Sequence, residues 1–69
     1  MVTIKIYYDN QVIKVFENEE SDFCALRWLL NHQSQSCDWA LRYGGYKVEL
    51  IDQDTKEVSL WQHSGNYKY

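Results

Sequence analysis

The sequence predicts one α+β domain of the order ββα(α)ββ, a four-stranded sheet with its helices on one face. Three observations predict it. Four segments alternate apolar and polar residues with a period of two. Between the second and third of them lie two stretches with apolar residues at helical spacing. Turn-forming residues stand at the junctions. A chain of 69 residues holds one small core, so a single domain over 1–63 is expected.

Residues 2 to 8, Val-Thr-Ile-Lys-Ile-Tyr-Tyr, form the first strand. Asp9-Asn10 follows, and both residue types tolerate the positive φ that a tight hairpin turn demands. Residues 11 to 17 return as the second strand. An uninterrupted ladder from this turn puts Val2, Ile4, Ile6, Ile13 and Val15 on the core face. Thr3, Lys5, Tyr7, Val12, Lys14 and Phe16 then face away, with Lys5 opposite Lys14.

Asn18 or Ser21 can cap a helix over about Asp22 to His32 or Gln33, with acids in its first turn. At 100° per residue Phe23, Ala25, Leu26, Leu29 and Leu30 share one stripe, and Cys24 and Trp28 fall outside it. Gln33 to Ser36 breaks the pattern, and Ser34 or Ser36 can cap a short helix over Cys37 to Tyr43. Gly44-Gly45 stops it. Strands follow at 46–52 and 57–63. A three-residue loop over Asp54 to Lys56 would set Leu50 against Leu60. Val48, Leu50, Val58 and Leu60 then face the core, and Lys47, Glu49, Ile51, Ser59, Trp61 and His63 face out. Residues 64–69 read as a mobile tail. If the first strand pairs in parallel with the last, the fold is β-grasp-like; otherwise it is a plain two-hairpin sheet under the helix.

Composition narrows the function classes. A net charge of −3 gives no basic excess of the kind that binds duplex DNA. Met1 leads straight into a strand pattern, and no apolar run approaches membrane-spanning length, so a cytoplasmic location is expected. Cys24 and Cys37 form no C-x-x-C and have no His at zinc-ligand spacing; two reduced thiols are expected, although spacing leaves a disulfide open.

Chemical motifs are sparse. His32 and His63 have no nucleophile at a useful spacing. Asp52-x-Asp54 with Glu57 lacks the glycine and the distant glutamate of a calcium loop and reads as a hairpin turn. No phosphate-binding glycine loop occurs. An enzyme is therefore not expected, and no cofactor or metal is implied.

Two surfaces stand out. The outward sheet face carries Lys5, Tyr7, Lys14, Phe16 and Trp61, with Trp28 outside the helical stripe as a further exposed ring. Uncovered rings on a monomer mark partner sites. The second surface is the acidic run Glu17, Glu19, Glu20 and Asp22, able to imitate a row of phosphates. The ordinary reading of that run is a helix N-terminus that favours acids.

The run Trp28-Leu29-Leu30-Asn31-His32-Gln33-Ser34-Gln35-Ser36, with Asp38-Trp39-Ala40 and Tyr43-Gly44-Gly45-Tyr46-Lys47, resembles small uncharacterised proteins of phages and prophages of Gram-positive bacteria. The resemblance covers about a third of the chain. It implies a phage-encoded accessory protein in a bacterial cytoplasm, in a size class that includes inhibitors of CRISPR nucleases. The expected function is thus a protein-interaction module or inhibitor acting on a host or defence protein. The alternative is a single-stranded nucleic-acid binder using rings and lysines on the sheet. A homodimer through the sheet face is a third occupant of the same surface.

Overall fold

Asp9 and Asn10 have φ of 53° and 65°, the paired left-handed geometry of a two-residue hairpin turn. They join β1 (Val2–Tyr8) to β2 (Gln11–Glu19) in a computed structural model that describes residues 1–60. Then come α1 (Phe23–His32), α2 (Cys37–Arg42), β3 (Tyr46–Asp52) and β4 (Val58–Leu60). The expectations for Trp61, His63 and the tail at 64–69 lie outside the described residues.

The sheet order is β2-β1-β3-β4, and every pairing is antiparallel. The β-grasp alternative required a parallel partner for β1. Here β1 instead pairs antiparallel with β3 along its whole length, from Val2 opposite Asp52 to Tyr8 opposite Tyr46. The chain leaves edge strand β2, passes through both helices and returns as β3 on the far side of β1. The helices therefore lie over the middle of the sheet. Ile4, Ile6 and Val48 from the sheet meet Ala25, Leu29 and Ala40 from the helices, and all six are fully buried.

Two registers depart from the uninterrupted ladders. Tyr8 faces Gln11 and Tyr7 faces Val12, but Ile6 faces Lys14, so Ile13 is an extra residue in β2. A bulge of this kind reverses every later side chain in the strand. Lys14 and Phe16 now lie on the helix side opposite Ile6 and Ile4, and Val15 lies outside opposite Lys5. Phe16 packs against the core, and the expected Lys5–Lys14 pair does not exist. A second irregularity between Val2 and Ile4 coincides with Asn18 at φ 59°. The bulges leave a short regular ladder on this edge, which blunts pairing with another chain.

The other departure is at the β3–β4 turn. Its loop has four residues, not three: the Lys56 amide donates to the Asp52 carbonyl, and the Asp52 amide donates to the Glu57 carbonyl. Lys56 takes the left-handed position, φ 66°. One extra loop residue moves Ser59 opposite Leu50 and places Val58 and Leu60 opposite Ile51 and Glu49, on the outward face.

α1 starts beyond Asp22 with no side-chain cap bond and no acid in its first turn, whereas α2 follows its caps. Ser36 Oγ accepts from the Trp39 amide at 3.1 Å and starts α2. Gly44 ends it with its amide on the Ala40 carbonyl at 3.0 Å. A Cβ there would come within 2.9 Å of both that carbonyl oxygen and the Trp39 ring, so glycine is required by close approach. Between the helices the Gln33 side chain replaces a further helical turn. Its Nε2 donates to the Leu29 and Gln35 carbonyls, and its Oε1 accepts from the Gln35 amide.

α1 is rotated by about 100°, one residue step, from the stripe read in the sequence. Leu29 and Ala25 are buried, while Phe23 and Leu30 are exposed. Trp28 and Cys24 turn inward instead and pack against the core. The reason lies in Trp28: its ring stacks on His32 at 4.6 Å, and His32 meets Tyr46 edge-on at 6.1 Å. A large ring buries more area than the displaced Leu30.

Candidate functional site

The sheet face away from the helices is built by odd-numbered residues of the two central strands and the outward positions of the edges. Thr3, Lys5 and Tyr7 of β1 face Ile51, Glu49 and Lys47 of β3 across seamless register. Val12 and Val15 of β2 flank one side, and Val58 and Leu60 of β4 the other. These four aliphatic side chains are between 41% and 56% exposed, and both helices lie on the opposite face.

At the centre, Tyr7 donates its hydroxyl to Glu49 Oε1 at 3.0 Å, and Lys47 Nζ lies 4.4 Å above the Tyr7 ring. The Glu49 bond, reinforced by partial desolvation and the carboxylate charge, holds the Tyr7 hydroxyl above the ordinary tyrosine range. Gln53 Nε2 donates to Thr3 Oγ1 at 3.0 Å and closes the end of the face. The centre is thus ordered and polar and the margins are apolar.

Of the residues singled out in the sequence, Lys5 and Tyr7 occupy this face. Lys14 and Phe16 lie on the helix side, where Lys14 Nζ sits 5.3 Å from the Phe16 ring centre. Trp28 belongs to the stack with His32 and is half-buried. Trp61 lies outside the described residues. The sequence reading placed Val12 on this face, as found, but missed Val15, Val58 and Leu60. One signal for Val15 was present: the doublet Val12-Ile13 interrupts strict alternation, as a bulge does.

The helical layer has an exposed margin as well. Arg27 lies 5.7 Å over Phe23, Arg42 lies 5.9 Å over Tyr43, and Trp39 and Tyr43 are 6.3 Å apart.

The acidic run ends β2 and enters α1. Pairing puts Glu19 and Asp52 on either side of Val2. Glu17, Glu19, Glu20 and Asp22 therefore share one end of the sheet with Asp52, Asp54 and Glu57. This is a concentration of charge that only the strand order reveals. The Asp52 carboxylate accepts from the Asp54 and Thr55 amides at 2.8 and 3.1 Å, which holds it below the usual carboxylate range.

A cleft of about 420 Å³ opens beside this end, lined by Met1, Asn18, Glu19, Glu20, Ser21, Phe23, Cys24 and Arg27. Both cysteines are free thiols. Burial, with the neighbouring Glu19 carboxylate, pushes Cys24 up; burial pushes Cys37 up, and its thiol donates to the Leu26 carbonyl at 3.3 Å. Such thiols are poor nucleophiles at neutral pH. Among the described residues no group of three His, Cys, Asp or Glu side chains is placed to hold a metal, and no helix is long and apolar enough to cross a membrane. No family model, curated protein or solved structure matches the chain.

Proposed function

We propose that the chain is a protein-interaction module that docks through its helix-free sheet face. One observation carries the reading: Val12, Val15, Val58 and Leu60 stand exposed around an ordered Tyr7–Glu49–Lys47 centre, on the side of the sheet that neither helix covers. Folding alone gives no gain from aliphatic residues left in water, whereas a partner burying them gains roughly 25 cal/mol per Å². The resemblance to small phage proteins gives the partner class, a host or defence protein that the module inhibits by occupying its surface.

The test is a set of surface variants, Val15→Ser, Val58→Ser and Leu60→Ser. Each should keep its circular dichroism and melting midpoint and lose co-purification with host proteins. Variants that fold and still co-purify the same proteins remove the face from consideration.

Single-stranded nucleic-acid binding has less support. Phe16 and Lys14 have left the face, and the Tyr7 ring already carries Lys47, so no free platform for base stacking remains among the described residues of this face. The acidic end is the second reading, favoured by the convergence of its two acidic segments beside Val2. It would dock on a basic groove, and its binding would weaken steeply with salt.

A further inference from the structure

We infer that the surface received by the helix-free face presents carboxylates between aliphatic side chains. This rests on the docking reading above and adds the chemistry of the partner. Among its described residues the face holds two ammonium groups, Lys5 and Lys47, and one carboxylate, Glu49, although the chain as a whole is acidic. Glu49 is engaged by the Tyr7 hydroxyl. Among the described residues neither lysine lies within ion-pair distance of a carboxylate. The face is thus locally cationic at its centre and aliphatic at both margins.

A second copy of the chain fits this pattern poorly. Face-to-face stacking would bury four lysines against two glutamates, and buried charge without a partner is costly. A partner with acids at its centre and apolar residues beside them would meet both zones. Phosphate of a nucleic acid could satisfy the lysines but would leave Val12, Val15, Val58 and Leu60 in water.

The experiment uses the full chain and two synthetic amphipathic helical peptides. They share one leucine stripe; one carries glutamates beside it and the other carries lysines. Backbone amide shifts locate the contact and give the affinity. The glutamate peptide should shift resonances around Lys5, Val15, Lys47 and Val58. It should bind about tenfold more tightly than its lysine twin, the scale of two exposed ion pairs, and lose that margin at high salt. The double variant Lys5→Glu with Lys47→Glu should invert the preference while keeping its fold. Equal binding of both peptides on this face would overturn the acidic partner and leave the docking face standing. Shifts confined to the helices or the acidic end, or none with either peptide, would overturn both.

Discussion

Leu29 and Leu30 are neighbours in sequence and opposites in the fold, so truncating each tests the rotation of α1. Leu29 is 0% exposed and Leu30 is 51% exposed. Leu→Ala removes three carbons, worth ~2.4 kcal/mol when fully buried at ~0.8 kcal/mol per methylene. At Leu29 the surrounding Ile4, Ile6, Ala25 and Val48 cannot all close the gap, so a cavity adds to that and the total falls in the ~2.7–5 kcal/mol range. At Leu30 about half the transfer term applies and no cavity forms, giving ~1 kcal/mol. A domain of this length has only about 3–10 kcal/mol in hand. The assay is urea unfolding followed by circular dichroism. With a slope of about 1 kcal/mol per molar, Leu29→Ala should lower the midpoint by 2 M or more or leave the chain unfolded, and Leu30→Ala by about 1 M. Because the first variant can fail to fold, Ile4→Val serves as a milder probe of the same cluster, at ~0.5–1.5 kcal/mol. Equal losses at Leu29 and Leu30 would refute the rotation and restore the stripe centred on Leu26.

Three further outcomes are expected. Phe16→Ala should cost ~1.5–3 kcal/mol, as a half-buried ring, and Val15→Ala less than ~1 kcal/mol, measured by the same unfolding; the reverse order would remove the bulge at Ile13. The depressed Asp52 carboxyl contributes stability that is present above its unfolded value and lost as pH falls through its folded value. Acid should therefore loosen the β3–β4 hairpin, read by amide shifts of Asp54 and Thr55, and Asp52→Ala should abolish that limb of the profile. Cys24 should alkylate slowly at neutral pH in the folded chain, and Glu19→Gln should quicken it by lowering the thiol's pKa, with Cys37 unchanged as the internal reference.

How far the sequence could be read depended on whether a face is set by local pattern or by a count of residues. β1 and β3 alternate without a break, and their inward Ile4, Ile6, Val48 and Leu50 were legible. The Asp9-Asn10 turn and the Ser36 cap rest on the chemistry of single residues and were legible too. The faces of β2 and β4 depend on one residue each, the extra Ile13 and the fourth loop residue. Each miscount inverts everything beyond it. The α1 stripe was wide and therefore ambiguous. Trp28 settled it by stacking on His32, which in turn meets Tyr46, distant in sequence.

The candidate site was less legible because its character comes from strand order, which no local pattern encodes. With β1 beside β3, Tyr7 reaches Glu49 and Lys47 crosses its ring. A parallel pairing of β1 with the last strand would have separated these three. The same order brings Glu19 and Asp52 to opposite flanks of Val2 and gathers the acids at one end. One topological choice thus makes a cationic, aliphatic-edged face and an acidic end in a chain whose net charge suggests neither. The two surfaces demand opposite partner chemistry. Salt and charge reversal therefore act on them in distinguishable ways: Lys5→Glu with Lys47→Glu acts on the first, and Glu20→Lys with Asp22→Lys on the second. An interaction that responds to only one pair is located on that surface.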